Sequence, residues 1–560
     1  MPFSSSSFPS VIILFPLLFT TVSLSAARDP VSAETPNRGG TLRLAVLTDP
    51  HSLDAAQLFS NEEGMLGLLL FNTLLDANPD GGFKPGLADG LPTTSPDGLT
   101  HTFVLRRGVR FSNGRELVAD DVVFSFERMF DPKVEAGTPA YFQAIQGGAS
   151  FQAARKQEMA SGSNSPPHVV PRWIEPITVA GLRALGRYTV QIQLNQPDLS
   201  FLQILTTPPA GIVPRDEAER AGRQFASHPV GSGPFLLKEW VRGGHIRFAR
   251  NPYYFRAGAP GPDAVDVLVN VDLTTQTMMF ERGELDFQHY IPDPDFVRLK
   301  KSPQVQGLLQ KVAGTSPTFV FMNCELPPFT NRLVRLALNH AVDKQALVKV
   351  MNHRCVPSIG PLPLVVSGFN SNLPEYSYDP PRARALLAEG GLTNGFETAL
   401  WVNRDSQQHM KVALFVQQCL TEVGVHAQIK EASFAAMLAA SGNRGNVPMG
   451  VSDWLTISDD PKETLDTLLN GDNIADEGCL NIAFYANPRV QAWFRDALAE
   501  TNPVRRLNIY RQIERQVVED VPWIFLVQLN TEMRVQHWVK GFTPRGFWPP
   551  ARLENCWLER

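Results

Sequence analysis

The stretch SPDGLTHTFVLRRGVRFSNGRELVADDVVFSF, residues 95–126, decides how the chain is read. Within it Leu99, His101, Phe103 and Leu105 alternate with Thr100, Thr102 and Val104, the period-two pattern of a half-buried strand. SPDG before the strand and SNGR after it are turns, one with Pro at its second position and the other with Asn-Gly. A helix follows over residues 120–129, with Asp120 and Asp121 placed at its positive end.

Outward from this segment the same mixture continues. Residues 34–40 (ETPNRGG) form a lead-in, and strands are expected at 41–47, at Tyr188, Val190, Ile192 and Leu194, and at 245–249. Residues 147–171 have no periodicity, contain SGSNSPPHVVP, and read as a loop or insertion. Further on, Thr330 is placed to cap a helix running through Met351, with Leu333, Leu336, Ala337, Ala341, Leu347 and Val348 on one stripe. Asp379-Pro380 and Asn502-Pro503 each pair a cap with Pro at the first helical position, and Gly390-Gly391 stops the first of these helices. Leu507, Tyr510, Ile513 and Val517 form the apolar face of the second. WIFLV, residues 523–527, is a continuous apolar run, as in a strand buried on both faces. No internal repeat is visible, and strands mixed with helices in both halves indicate an α/β protein of two lobes.

The chain has 560 residues, enough for several domains at roughly 150 residues each. Its 43% apolar content is enough for a large core, and a net charge of −5 gives no electrostatic footprint for nucleic acid. Residues 11–19 (VIILFPLLF), followed by small residues up to Ala27, read as a secretory signal peptide spanning 1–27, although no cation precedes Arg28. No cysteine lies near the cleavage region, so no lipoprotein anchor is expected there. No other apolar run reaches the length of a membrane span, which predicts an exported, soluble mature chain. Export permits disulfides among Cys324, Cys355, Cys419, Cys479 and Cys556, with at least one thiol left over and the partners open.

A search for catalytic constellations returns HExxH, GxSxG, GxxxxGK[ST] and GxGxxG all missing. Gly231-Ser232-Gly233 lacks the flanking spacing of a nucleophile turn and runs into Pro234. The acidic pairs Asp293/Asp295 and Asp459/Asp460 stand in Pro-containing loops and read as solvated turns. The eleven histidines contain no i, i+4 pair that would grip a metal. These features favour binding over catalysis: no catalytic residue, metal site or cofactor is expected.

Four blocks, in order, then become specific: residues 95–126; HPVGSGPFLLKEWVRGGHIRFARNPYY at 228–254; NRLVRLALNHAVDKQA at 331–346; and YDPPRARALLAEGGLTNGF at 378–396. With them the chain resembles family 5 of the extracytoplasmic solute-binding proteins, which serve peptide- and nickel-type ABC importers and include dipeptide- and oligopeptide-binding proteins. The resemblance implies a two-lobe periplasmic-binding-protein fold, type II-like and of cluster C, with an extra subdomain in the first lobe. The first lobe would hold 37–310 and 519–560, with 78–176 as the extra subdomain, and the second 311–518. Strands near 318–322 and 523–529 would cross between them. Arg335 and Asp343 would tie a helix down rather than touch ligand.

The resemblance also implies a site. Phe59, Ser60 and Asn61 match the family's contact strand in the first lobe. DWLTISDDP at 453–461 matches the second-lobe segment, with the family's Trp at Trp454 followed by Leu455, Thr456, Ile457 and Asp459. Tyr141 would line the far wall, or pack in the subdomain core. Peptide-binding relatives carry an aspartate three residues after that Trp to pair with the ligand's ammonium, whereas Ile457 stands there in this chain. A buried ammonium without a counter-ion is costly. Either Asp459 or another acid in the cleft replaces the missing anchor, or the cargo is of another kind: glutathione-like, glycan, opine or metal chelate. The implied role is the substrate-binding component of an ABC importer, periplasmic and monomeric, with the importer's membrane subunits as partner, no nucleic acid, and no chemistry of its own.

Overall fold

In the computed structural model the described residues are 38–79, 81–161, 178–302 and 307–560, so the expected signal peptide lies outside them. The segment read first folds as its pattern requires. Strand Thr100–Val104 buries His101 and Phe103, and pairs antiparallel with Thr189–Gln193 in a four-stranded sheet. Gly98 and Gly114 close the flanking turns at φ +71° and +87°, where a side chain would be strained. Helix Ala119–Glu127 follows, and its Asp121 accepts the N–H of Val118 at 3.0 Å. Phe103, Phe111, Phe126, Phe130 and Phe142 gather beneath these elements into one core.

Two local expectations need correction. Residues 148–161, read as loop, form helix Gly148–Ser161. Ala, Gln, Arg, Lys, Glu and Met are strong helix formers that leave no apolar stripe when a helix stays on the surface, and of the apolar residues here only Phe151 is buried in the core. The long helix expected from Thr330 to Met351 is two helices, Arg332–Ala341 and Lys344–Val350. Asn331, not Thr330, caps the first, and between them Val342 turns extended so that Asp343 caps the second through Ala346 N–H. Arg335 is buried and donates to the carbonyls of Phe329, Asp520 and Val521, the tying role expected of it.

Strand Thr41–Ala45 runs parallel to Ala264–Leu268, which continues antiparallel into His245–Arg250 and Phe235–Val241. Its core is finished by the far end of the chain, since Ala551, Leu553, Cys556 and Leu558 pack among Leu42, Leu44 and Val265. Gly231 and Gly233 press on the backbone of Leu70, and a Cβ on either would fall 2.0 or 2.4 Å from it. Ser232 between them is wholly buried, so this triplet is a packing joint.

A second, larger sheet is organised by strands Leu309–Met322 and Trp523–Val535, which pair antiparallel from Leu309↔Arg534 to Phe321↔Trp523. At one end of this ribbon Trp523–Val535 also pairs with Phe287–Gln288; at the other, Leu309–Met322 pairs with Met449–Asp453, beyond which lie Phe396–Asn403 and Val425–Ala432. Register shifts at Val312/Ser316 and Thr318/Phe319 break the ladder midway, where a ribbon bends most readily. Further cores flank the far end, one around Val334, Leu338, Val416 and Ile524, the other around Phe494, Tyr510, Ile513 and Trp523. The Asn502 cap and the Tyr510, Ile513, Val517 face of helix Pro503–Asp520 are as expected.

The acidic pairs are not solvated turns. Asp460 is buried, caps helix Pro461–Leu469, and forms a two-pronged pair with Arg506 at 2.6 and 2.9 Å. All five cysteines are free thiols, and four of them are buried. Among the described residues no helix is long and apolar enough to cross a membrane, and no group of His, Cys, Asp and Glu is arranged to hold a metal.

Candidate functional site

A cleft of about 420 Å³ opens beside the first register shift of the ribbon, at Thr315 and Ser316. Its walls come from distant parts of the chain. Asn61, at the start of helix Asn61–Leu70, stands on one side with His289, Tyr290, Ile291 and Asp293. Arg354, Gln407, Gln408, Lys411, Leu455 and Thr456 stand on the other, and Thr315, Ser316 and residues 529–532 of the ribbon lie between them.

The local sequence explains how these groups are held. Ser60 caps its helix in a reciprocal capping box with Glu63, which fixes the direction in which Asn61 leaves the turn. Asn61 donates to the Tyr290 hydroxyl at 2.9 Å. Residues 454–456 run along the ribbon: Trp454 N–H donates to Pro317 O at 3.2 Å, Ser316 Oγ to Trp454 O at 2.5 Å, and Thr456 Oγ1 to Thr315 O at 2.6 Å. Trp548, from the C-terminal segment, ties both walls. Its indole N–H donates to Ser60 O at 3.1 Å, and its backbone N–H to Thr456 O at 3.0 Å.

Charge is distributed unevenly. Asp293 crosses the cleft to Lys411 and to Arg354, the latter at 2.8 Å. Burial raises its carboxyl, but hydrogen bonds from Lys411 and Arg354 outweigh this and hold it below the usual range. Arg354 also binds Glu532 at 2.9 Å. His289 is buried, packs against Tyr290 with ring centroids 3.9 Å apart and planes tilted by 39°, and is pushed by burial down to about 4, so it is neutral at physiological pH.

Of the residues singled out from sequence, Asn61, Leu455 and Thr456 line this cleft. Phe59 is exposed beside it, and Ser60 lies behind Asn61 as a cap. Trp454 is half-buried, and its indole N–H donates to Glu463 Oε1 at 2.6 Å. Tyr141 is half-buried against the core that contains Phe142. Ile457 is buried. Asp459 is held elsewhere: its carboxylate accepts Ser367 N–H at 2.7 Å, and its own N–H donates to Gln203 Oε1 at 2.8 Å.

Sequence reading missed Tyr290, Asp293, Arg354, Lys411 and the half-buried acid Glu463. Asp293 was visible as half of an acidic pair, but its partners lie 61 and 118 residues away, beyond any local signal. Glu463 follows the Asp460-Pro461 helix start by less than one turn, and that position could have flagged it as turned toward Trp454. Burial pushes its carboxyl up to about 8, against the lowering effect of hydrogen bonds from Trp454 and the Ile457 N–H.

Mixed sheets, separate cores and a polar cleft bent around one two-stranded ribbon define a two-lobe α/β protein built to enclose a solute. The comparisons agree. Residues 82–476 match the model of the bacterial extracellular solute-binding proteins, family 5 Middle. The glutathione-binding protein GsiB of Salmonella choleraesuis is 29% identical over 485 residues, covering 85% of this chain and 86% of its own. Heme-binding protein A of Haemophilus influenzae is 30% identical over 485 residues, covering 83% and 82%. Among solved structures, the ABC transporter-associated periplasmic binding protein DppA of Helicobacter pylori, in complex with the peptide STSA, superposes with a TM-score of 0.72 at 26% identity, covering 94% and 99%. Clavulanic acid biosynthesis oligopeptide binding protein 2 shares the fold with a TM-score of 0.83 at 24% identity, covering 94% and 96%.

The chain belongs to the bacterial extracellular solute-binding proteins, family 5. Its role is that of the substrate-binding component of an ABC importer, in a family of transporter binding proteins rather than enzymes.

Proposed function

We propose that the protein captures a small peptide or peptide-like solute in the cleft between Asn61 on one wall and Leu455 and Thr456 on the other, and delivers it to the importer's membrane subunits without chemical change. The observation that carries this reading is the convergence of those walls on one polar cleft, with ribbon backbone between them. A volume of about 420 Å³ suits a solute of a few residues rather than a long peptide. Residues 37–310 with 519–560, and residues 311–518, are the two lobes of this reading. The bent ribbon is their hinge, and closure is driven by the difference in cargo affinity between closed and open forms. An N-terminal signal peptide and a monomeric periplasmic life complete it.

A second reading, a compact peptide of the glutathione kind, is favoured by Ile457 in place of an acid. Native mass spectrometry of the gently purified chain, followed by release and identification of any retained small molecule, separates the two. A tightly bound cargo stabilises the fold by about 2.7 kcal/mol at a hundredfold excess over Kd, and so survives purification. Leu455→Ala, which truncates an exposed side chain of the cleft wall, is expected to weaken binding of the released solute at least tenfold, ~1.4 kcal/mol. Unchanged affinity in a folded variant places the cargo elsewhere.

A further inference from the structure

A second hollow, of about 330 Å³, lies against the same ribbon and has no part in the cargo reading. Its apolar lining is Ile291, Phe296 and Leu299, a small core of their own, with Leu309 of the ribbon packed beside them. This volume lies near the lower end for small-molecule sites, which run from roughly 300 Å³.

The charge in this hollow is cationic and poorly matched. Arg534 lines it with a side chain only 1% exposed. Its guanidinium stacks over Phe280 at 4.2 Å and donates to Gln288 Oε1 at 3.2 Å, while its Nε has no hydrogen-bond partner. The nearest acid, Glu281, is 4.0 Å away and is already taken by Arg298 at 2.6 Å. Lys311 on the ribbon adds a further positive charge at the rim. Glu532, the acid in the lining, is engaged by Arg354. A buried guanidinium with an unfilled donor and only a shared, distant counter-ion is an unfavourable arrangement, which an anion entering the hollow would relieve.

We propose that this hollow binds a small monoanion carrying a short apolar tail, such as a medium-chain carboxylate, with its charge on Arg534 and its tail among Ile291, Phe296 and Leu299. The charge selects an anion, and the apolar lining selects a tail over a bare ion. Ile291 and Glu532 also line the cargo cleft, so the occupant sits directly behind one of its walls.

Titration calorimetry of the full chain with octanoate, and with octanol as the uncharged probe of equal length, tests the assignment. Octanoate is expected to bind, and octanol at least tenfold more weakly. Leu309→Trp, which fills the hollow, is expected to weaken octanoate at least tenfold. Lys311→Glu, at an exposed position outside the cargo cleft, does the same by inverting the rim charge and covers the case in which Leu309→Trp folds poorly. Failure of octanoate to bind, equal binding of octanol, or unchanged affinity in the folded variants overturns the proposal.

Discussion

Replacing Glu463 by Gln is expected to stabilise the protein above pH 5 and to flatten its dependence on pH. The carboxyl accepts Trp454 Nε1–H at 2.6 Å, and the oxygen of an amide can do the same. No cation pairs with it among the described residues; Asp460 nearby carries the same sign and is occupied by Arg506, and Lys462 on the same helix is occupied by Asp198 at 3.2 Å. Its pKa stands at about 8 in the folded chain against an ordinary 4.5. Between these values the native state holds a proton that the unfolded chain has released, so stability falls as pH rises through the window, by ~1.4 kcal/mol per unit. At pH 7 the full difference is about 3 kcal/mol, which partial exposure of the side chain to solvent trims to about 2 kcal/mol. Thermal melts of wild type and Glu463→Gln from pH 5 to pH 8 measure it: the two curves should nearly coincide at pH 5 and separate progressively, the variant melting higher. A variant that melts lower by the same amount at every pH would mean that the charged carboxylate is a net stabilising group and that the burial argument fails.

Other expectations follow from the same contacts. Arg506→Met leaves Asp460 buried without its cation and should destabilise by roughly 3–5 kcal/mol, read as a large drop in melting temperature; a drop within the range of surface substitutions would count against a buried pair. Asp293→Asn weakens the contacts to Arg354 and Lys411, side chains 22% and 38% exposed, so the loss is about 1 kcal/mol. On the proposed lobe division this lowers the ratio of closed to open molecules about fivefold, seen as a larger radius of gyration by X-ray scattering, and identical scattering profiles would dismiss the bridge as a clasp.

Much of the architecture was legible because its signals are local. The alternation around Phe103, the Asp-Pro and Asn-Pro helix starts, and the apolar run at residues 523–527 each declare an element within a few residues. Helix Gly148–Ser161 was not legible, because a helix that stays on the surface carries no stripe. The break at Val342-Asp343 was hidden by apolar residues that stay in register across it. At the site, residues 59–61 and 453–459 were within reach because the resemblance marks them, and four of those positions, Asn61, Asp453, Leu455 and Thr456, do line the cleft. Arg354, Lys411 and Asp293 were out of reach, since nothing in their neighbourhoods signals that folding brings them within hydrogen-bond distance.

The meeting of the two chain ends has a bearing on biogenesis. Leu42 and Leu44 belong to the strand Thr41–Ala45, yet the core they enter is completed by Cys556 and Leu558, far later in the chain. Contacts of such sequence separation are slow to form and cannot form before residues 551–558 have been made. The core over the opening sheet therefore waits, incomplete, until that late segment arrives.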